Sequence, residues 1–192
     1  MSAGSYGLIV EGDYDSAVYE AIIQRLSPNA VISTRECAGK SNLMKKFPGL
    51  LKTFEYELAG RPLDMAIVIR DADGRGPEEI EAQMCSKIVD RPYPFALGVK
   101  FFAVPQAMEA WLLADVNALN NVSQRRGGKR VTRSLDAPEN LHDPKESLRR
   151  LLSDHKLPYT GALAREIAQE IDFGTLSRKC PRFSAFTELV DC

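Results

Sequence analysis

The chain has 192 residues, of which 44% are hydrophobic and 27% charged, and its formal net charge is −1 at pH 7. This length and composition are typical of one globular domain, and the near-zero charge excludes a globally basic nucleic-acid binder. Binding of DNA or RNA would therefore require a local basic patch. No apolar run approaches the ~20 residues of a membrane span, and the N-terminus lacks the features of a signal peptide. We expect a cytoplasmic protein without membrane association, whose four widely spaced cysteines are reduced thiols and not zinc ligands.

The first 116 residues alternate between apolar, strand-like runs and helical patterns. The predicted strands are residues 6–10, 31–34, 63–70 and 99–104, and the helices that follow them are residues 13–27, 41–58, 77–89 and 107–114. Pro48-Gly49 is a candidate break in the second helix. This alternation predicts an α/β fold with a mainly parallel sheet of about four strands and helices on both faces.

The last third of the sequence has a different character. Residues 117–142 are polar and predict a loop, whereas residues 143–153, 163–171 and 183–190 predict helices. We expect residues 117–192 to form a helical extension that packs on the α/β core of residues 1–116, so that both belong to one domain.

Two of the predicted strands end in carboxylates. Glu11 follows the first strand, Asp71 and Asp73 follow the third, and Asp15 lies four residues after Glu11 across a strand-to-helix turn. Open parallel sheets place their ligands at the carboxyl ends of the strands. Two unit charges 4 Å apart repel by about 4 kcal/mol at an effective dielectric of 20, so such a cluster predicts protonation or a bound cation. Hard oxygen ligands suit Mg²⁺ or Mn²⁺. The alternative is that the two aspartates solvate a loop and begin the next helix.

Two further segments carry charge in an informative context. Glu109 lies among apolar residues, which indicates either an acid directed at a specific partner or the exposed face of an amphipathic helix. Residues 124–133 contain five cations and no acid, and their glycines predict a flexible loop that contacts nucleic-acid phosphates or is simply solvated. Its cations are Arg125, Arg126, Lys129, Arg130 and Arg133.

Two competing motifs are partial matches. Gly39-Lys40-Ser41 resembles the end of a phosphate-binding P-loop, but Thr34 stands where that motif needs a glycine, so we interpret Lys40 as a solvated lysine at a helix start. Residues 71–74 resemble the first motif of haloacid-dehalogenase-type phosphatases, in which the first Asp is a nucleophile. That family usually has threonine in place of Arg75 and carries the motif on its first strand. This phosphatase class is the main alternative enzyme.

Together these residues resemble known families. A strand ending in Val10-Glu11-Gly12 and a later strand ending in Asp71-x-Asp73 are similar to the toprim domain of topoisomerases, primases and overcoming-lysogenisation-defect nucleases. Over nearly its whole length, the chain more closely resembles domain-of-unknown-function family 4276. The matching segments are residues 108–115, Asp143-Pro144-Lys145 and Cys180-Pro181-x-Phe183-x-x-Phe186.

The resemblance implies a toprim-like, Rossmann-like fold and a Mg²⁺- or Mn²⁺-dependent nuclease. It implies that Glu11, Asp71 and Asp73 are metal ligands and catalytic residues, and that Asp15 and Glu109 complete a second metal position. It also implies a role in defence against phage or mobile DNA, beside a partner ATPase.

Two further interpretations concern residues of the C-terminal extension. Lys145 is a candidate for stabilising the charge that develops on the phosphate during hydrolysis. The alternative to an enzyme is a non-catalytic subunit that binds nucleic acid or an ATPase through the basic segment and the C-terminal aromatic residues Phe183 and Phe186.

Overall fold

The computed structural model describes residues 4–132 and 134–191. Arg133 of the basic segment and the thiol of Cys192 lie outside these ranges. The centre of the fold is a parallel four-stranded sheet in the order β2-β1-β3-β4. Its strands are β1 (Ser5–Val10), β2 (Val31–Glu36), β3 (Met65–Asp71) and β4 (Val99–Val104). The predicted α/β class, parallel sheet and strand number are confirmed.

Helices connect the strands and form the C-terminal extension. Those between the strands are α1 (Asp13–Leu26), α2 (Lys40–Leu51) with the 3-10 turn Lys52–Tyr56 after it, and α3 (Pro77–Cys85). Those after the sheet are α4 (Glu109–Ala114), α5 (Val116–Arg125), α6 (Pro144–Asp154), α7 (Gly161–Glu170), α8 (Phe173–Lys179) and α9 (Pro181–Val190), with a 3-10 turn at Pro138–Asn140. None of the helices within the described ranges has the length and apolarity needed to cross a membrane.

Apolar side chains from the strands enter two separate cores. Leu8 and Val10 face α1 and the C-terminal helices, whereas Ile9 between them faces α2 and α3. This alternation follows from the two-residue period of a strand, and an apolar run such as residues 65–69 is the pattern of a strand buried on both faces. Helices therefore cover both faces of the sheet, as predicted.

The C-terminal helices share the larger of these cores with the sheet. Trp111 on α4 is fully buried, and its ring lies 5.2 Å from the Phe183 ring and 5.5 Å from the Phe186 ring, both on α9. At the far end of α9, the Val190 carbonyl accepts a hydrogen bond of 3.0 Å from the Tyr6 hydroxyl on β1. These contacts hold the extension against the same face that carries α1.

The predicted loop over residues 117–142 is wrong in its first part, where α5 forms. Asp115 caps this helix, because its Oδ1 accepts hydrogen bonds from the backbone N–H groups of Asn117 and Ala118. Leu119 and Val122 then lie on a buried face that packs near α7. Sparse but correctly spaced apolar residues and one cap are enough for a helix when another helix covers that face.

Two predicted helix ends are also wrong. The second helix ends at Leu51 and not at residue 58, since the next five residues tighten into a 3-10 turn. Pro48 does not break this helix but lies inside it. The third helix ends at Cys85 and not at residue 89, where Val89 is 72% exposed and has no apolar surface to pack on. Neither difference moves the carboxyl ends of the strands.

Candidate metal centre

The carboxyl edge of the sheet opens into a cleft of about 890 Å³. The loops after β1, β3 and β4 form its floor, and the first residues of α2 and α6 form its walls. All six residues that the sequence predicts for the metal site and for charge stabilisation line it: Glu11, Asp15, Asp71, Asp73, Glu109 and Lys145. The structure thus brings together acids that are as far as 98 positions apart in the sequence (Glu11 to Glu109).

Glu11 and Asp71 meet because β1 and β3 are adjacent parallel strands. The backbone N–H of Asp71 donates a hydrogen bond of 3.2 Å to Glu11 Oε1. Asp71 follows Ile69 by two residues, so its side chain continues the row that faces α1. Its Oδ1 accepts a hydrogen bond of 3.2 Å from the backbone N–H of Met108, just before α4.

Asp15 lies in the first turn of α1 and points back toward the end of β1. Its Oδ2 accepts a hydrogen bond of 3.0 Å from the backbone N–H of Gly12, which satisfies a donor that the helix leaves unpaired. Asp15 is half-buried in this position. Burial raises its pKa, and the charges of Glu11 and Glu109 raise it further.

Asp73 occupies a tight turn after β3 and is exposed. Its φ of 54° and the φ of 78° at Gly74 both lie in the left-handed region, which glycine tolerates and aspartate adopts more readily than most residues. The turn is fixed by hydrogen bonds from these two N–H groups to the carbonyls of Gln106 and Pro105 after β4. Asp73 forms an ion pair with Lys40 at the start of α2.

Glu109 is the most buried acid of the cleft, with only 3% of its side chain exposed. Its Oε1 accepts a hydrogen bond of 3.0 Å from the Tyr159 hydroxyl and lies 3.7 Å from Lys145 Nζ. Lys145 also stands over the ring of Tyr14, 5.7 Å from its centroid. The prediction that Glu109 is directed at specific partners is consistent with this arrangement, in which Tyr159 and Lys145 both come from the C-terminal extension.

Burial and the neighbouring charges shift the pKa of three carboxyl groups in the cleft. Burial, followed by the charges of Glu11 and Glu109, raises the pKa of Asp15 to about 7. Burial and the charges of Asp15, Glu11 and Glu109 raise the pKa of Asp71 well above its usual range. Burial likewise raises the pKa of Glu11, although Lys40 opposes the increase. The cleft therefore disfavours the ionised form of these three carboxyl groups in the absence of a cation.

A buried hydroxyl lies behind the acids. Tyr19 on α1 is 1% exposed, and its hydroxyl has no hydrogen-bond partner among the residues described. Burial raises its pKa, and the next contributions come from the charges of Asp71, Asp15, Glu109 and Glu11. The unpaired hydroxyl is thus close to the carboxyl cluster, and an unpaired buried donor of this kind normally costs about 1–3 kcal/mol.

The donor chemistry fits a hard divalent cation. The acids supply only carboxylate oxygens, which Mg²⁺ and Mn²⁺ prefer, and burial together with the neighbouring acids raises the pKa of Asp15 and Asp71. As the described side chains stand, no three Asp, Glu, His or Cys side chains converge on one point closely enough to coordinate an ion. Coordination of an ion by three of these acids therefore requires some of their side chains to move closer together.

The basic segment lies away from this cleft. Arg125 pairs with Glu170 across 2.7 Å and Arg126 pairs with Glu166, both on α7. Lys129 and Arg130 line a separate depression beside α5. The four described cations of the segment are thus absent from the lining of the acidic cleft, and two of them are neutralised by α7.

Sequence reasoning missed three side chains of the site. Lys40 lines the cleft and pairs with Asp73, so the prediction that it is a solvated lysine is wrong. The sequence signal for this position of Lys40 is that it follows β2, whose carboxyl end lies beside that of β1. Tyr19 and Tyr159 had no local signal, because one is an ordinary core position of an amphipathic helix and the other reaches Glu109 from 50 residues away.

Comparison with known proteins identifies the family. A fold comparison aligns 96% of this chain with 96% of the C-terminal region of the Burkholderia pseudomallei OLD protein, at 15% sequence identity and a TM-score of 0.49. No curated protein matches the sequence. The model of the family described as "Domain of unknown function (DUF4276)" matches residues 10–191. This match covers nearly all of the chain and confirms the resemblance noted from its motifs. The chain therefore belongs to the DUF4276 family.

Proposed function

We propose that this protein is a divalent-cation-dependent nuclease whose metal centre is the acidic cleft at the carboxyl edge of the sheet. One observation carries the proposal: acids that follow β1, β3 and β4 share a single cleft, in which burial and the neighbouring charges raise the pKa of Asp15 and Asp71. Acids in such an arrangement are stabilised by a cation. The toprim-like order of the motifs, with Glu11 after the first strand and Asp71-x-Asp73 after the third, supports phosphodiester hydrolysis as the reaction.

The resemblance to toprim domains supplies the ligand assignment, and the five acids concerned all line the cleft. Glu11, Asp71 and Asp73 would hold one Mg²⁺ or Mn²⁺, and Asp15 and Glu109 would contribute to a second position. A cation bound to these oxygens would supply Lewis-acid stabilisation of the phosphate and lower the pKa of a water molecule. The hydrogen bond from Met108 N–H to Asp71 fixes the orientation of one carboxylate before any cation arrives.

The chain's own side chains would position the substrate. Lys145 has 46% of its side chain exposed at the wall of the cleft, where its ammonium can donate to phosphate oxygens. The resemblance gives Glu11 the role of general acid-base. Arg130 and Lys129, outside the cleft, would contact more distant phosphates of a long DNA or RNA strand.

The biological setting belongs to the same proposal. The motifs resemble those of toprim nucleases that work beside an ATPase, and we extend the proposal to defence against phage or mobile DNA with such a partner. The competing proposal of a non-catalytic subunit places the function in the basic segment and in α9. Two arginines of that segment are paired with α7, which favours the acidic cleft as the functional centre.

A cleavage assay tests the proposal. Supercoiled plasmid, single-stranded DNA and RNA are incubated with wild type or Asp71→Ala in Mg²⁺, Mn²⁺ or EDTA. We expect cutting that requires a metal ion and falls at least ~100-fold in the variant, which corresponds to about 2.7 kcal/mol of lost transition-state stabilisation. Undiminished cutting by folded Asp71→Ala would refute the assignment. Hydrolysis of a small phosphomonoester, with all polynucleotides intact, would favour the haloacid-dehalogenase-type alternative.

A further inference from the structure

The five acids predicted as metal ligands are each engaged by donors from the protein, which are backbone N–H groups, the Tyr159 hydroxyl and two lysine side chains. Backbone N–H groups of Gly12, Asp71 and Met108 donate to Asp15, Glu11 and Asp71, respectively. These donors cannot leave without moving the chain. Each backbone N–H group therefore orients one carboxylate. Because it carries no full positive charge, a cation can bind that carboxylate without displacing one.

Lysine side chains engage the remaining two acids. Lys40 pairs with Asp73, and these side chains are 37% and 50% exposed. Lys145 Nζ lies 3.7 Å from Glu109 Oε1, and its side chain is 46% exposed. The two lysines begin helices that pack on opposite faces of the sheet, so they reach the cleft from opposite sides.

Lysine in such a position can exchange partners. Its ammonium sits on a flexible four-carbon stem, and it donates equally well to carboxylate and to phosphate oxygens. A divalent cation competes with the ammonium for the carboxylate, whereas a nucleic-acid phosphate competes with the carboxylate for the ammonium. Lys40 and Lys145 therefore pair with carboxylates that a bound cation would also use as ligands.

We propose that Lys40 and Lys145 are exchangeable counter-ions of the cleft. They neutralise Asp73 and Glu109 in the metal-free protein, and they move to substrate phosphates when a divalent cation takes those carboxylates. This inference rests on the proposed function, since it requires a cation and nucleic acid in one cleft. The exchange couples the two ligands reciprocally, so each raises the affinity for the other.

Calorimetric titration of the full chain with Mg²⁺ tests the exchange. The double variant Lys40→Met/Lys145→Met is compared with Lys45→Met/Arg149→Met, which removes the same charge from the same two helices at exposed positions outside the lining of the cleft. We expect the cleft variant to bind Mg²⁺ about tenfold more tightly than wild type. The control variant should bind Mg²⁺ with nearly wild-type affinity.

Fluorescence anisotropy with a short labelled single-stranded DNA in Ca²⁺ gives the second readout. We expect the cleft variant to bind this DNA at least about fivefold more weakly than the control variant, because two phosphate contacts are lost. Opposite changes for Mg²⁺ and DNA support exchange, whereas a folding defect would weaken both. Mg²⁺ affinity no higher than that of the control overturns the exchange while leaving the nuclease proposal standing. Mg²⁺ binding that survives Asp71→Asn unchanged would instead refute the metal centre, and the exchange with it.

Discussion

The backbone N–H of Asp71 donates a hydrogen bond to Glu11 Oε1 over 3.2 Å, and this bond joins the ends of two neighbouring parallel strands. It requires an acceptor oxygen at residue 11 but no negative charge. A glutamine there would keep the acceptor and remove one charge from the crowded cleft. The fold and the metal centre therefore place different demands on the same side chain.

Glu11→Gln should separate these two demands. We expect the free energy of unfolding in EDTA to stay within about 0.5 kcal/mol of wild type or to increase, because repulsion is reduced and the hydrogen bond persists. Mg²⁺ affinity, measured by calorimetry, should fall at least about tenfold. The half-buried Glu55, which lies outside the lining of the cleft, gives the matched control Glu55→Gln, which should change neither quantity. Wild-type Mg²⁺ affinity in Glu11→Gln would remove Glu11 from the ligand set.

The raised pKa of Asp15 predicts how the stability of the metal-free protein depends on pH. Its pKa rises from 3.8 to about 7 on folding, so the native state binds its proton more tightly than the unfolded state. The resulting stabilisation is complete below about pH 4 and is lost as the pH rises toward 7. In EDTA, the Tm of wild type should therefore fall by several degrees relative to Asp15→Asn between these values. Parallel Tm curves for the two proteins would show that Asp15 is not perturbed.

Cation binding should reverse this dependence. Mg²⁺ that binds the ionised acids must displace their protons, so its affinity should increase from pH 5 to pH 7 with measurable proton release. Calorimetry in two buffers of different ionisation enthalpy measures the number of protons released. Binding without proton release at pH 6 would mean that the cation avoids Asp15 and Asp71.

Tyr19→Phe tests whether the buried hydroxyl is a cost to the metal-free fold. Because the hydroxyl has no partner among the described residues, its removal should stabilise the protein by about 1 kcal/mol in urea unfolding. Tyr56→Phe is the control, since Tyr56 is 71% exposed. A loss of stability in Tyr19→Phe would show that the hydroxyl donates to a carboxyl group of the cluster in solution.

Tyr159→Phe should have the opposite effect on stability. It removes the 3.0 Å hydrogen bond to Glu109 and leaves Lys145, at 3.7 Å, as the remaining described partner of a buried acid. We expect a loss of about 1–3 kcal/mol at pH 7, since a hydrogen bond to a charged buried group is lost. Unchanged unfolding in urea would indicate that Glu109 is adequately stabilised without the hydroxyl.

The strands and the acids that end them were predictable because both depend on local signals. An apolar run such as residues 65–69 is specific for a buried strand, and the edge rule for parallel sheets then places Glu11 beside Asp71. The same rule, applied to the strand before Gly39, would have placed Lys40 in the cleft. The prediction that Lys40 is only solvated is wrong, because Lys40 lines the cleft and pairs with Asp73.

Other features depend on tertiary contacts that the sequence does not display. The helix α5 forms because α7 covers its short apolar face, and Tyr159 reaches Glu109 only after the extension folds back over α4. Asp71 and Asp73 look equivalent two residues apart, yet one continues a buried row and the other occupies an exposed left-handed turn. The turn geometry, and not the residue type, determines that Asp71 is half-buried and Asp73 is exposed.

Direct measurement of Mn²⁺ binding by electron paramagnetic resonance tests the central claim that the acidic cleft is a divalent-cation centre. Mn²⁺ is titrated into wild type and into Asp71→Asn, whose amide oxygen can still accept the hydrogen bond from Met108. We expect wild type to remove the signal of free Mn²⁺, and we expect Asp71→Asn, equally folded by circular dichroism, to lose at least about 90% of this binding at the same concentration. Equal Mn²⁺ binding by the two proteins would contradict this claim.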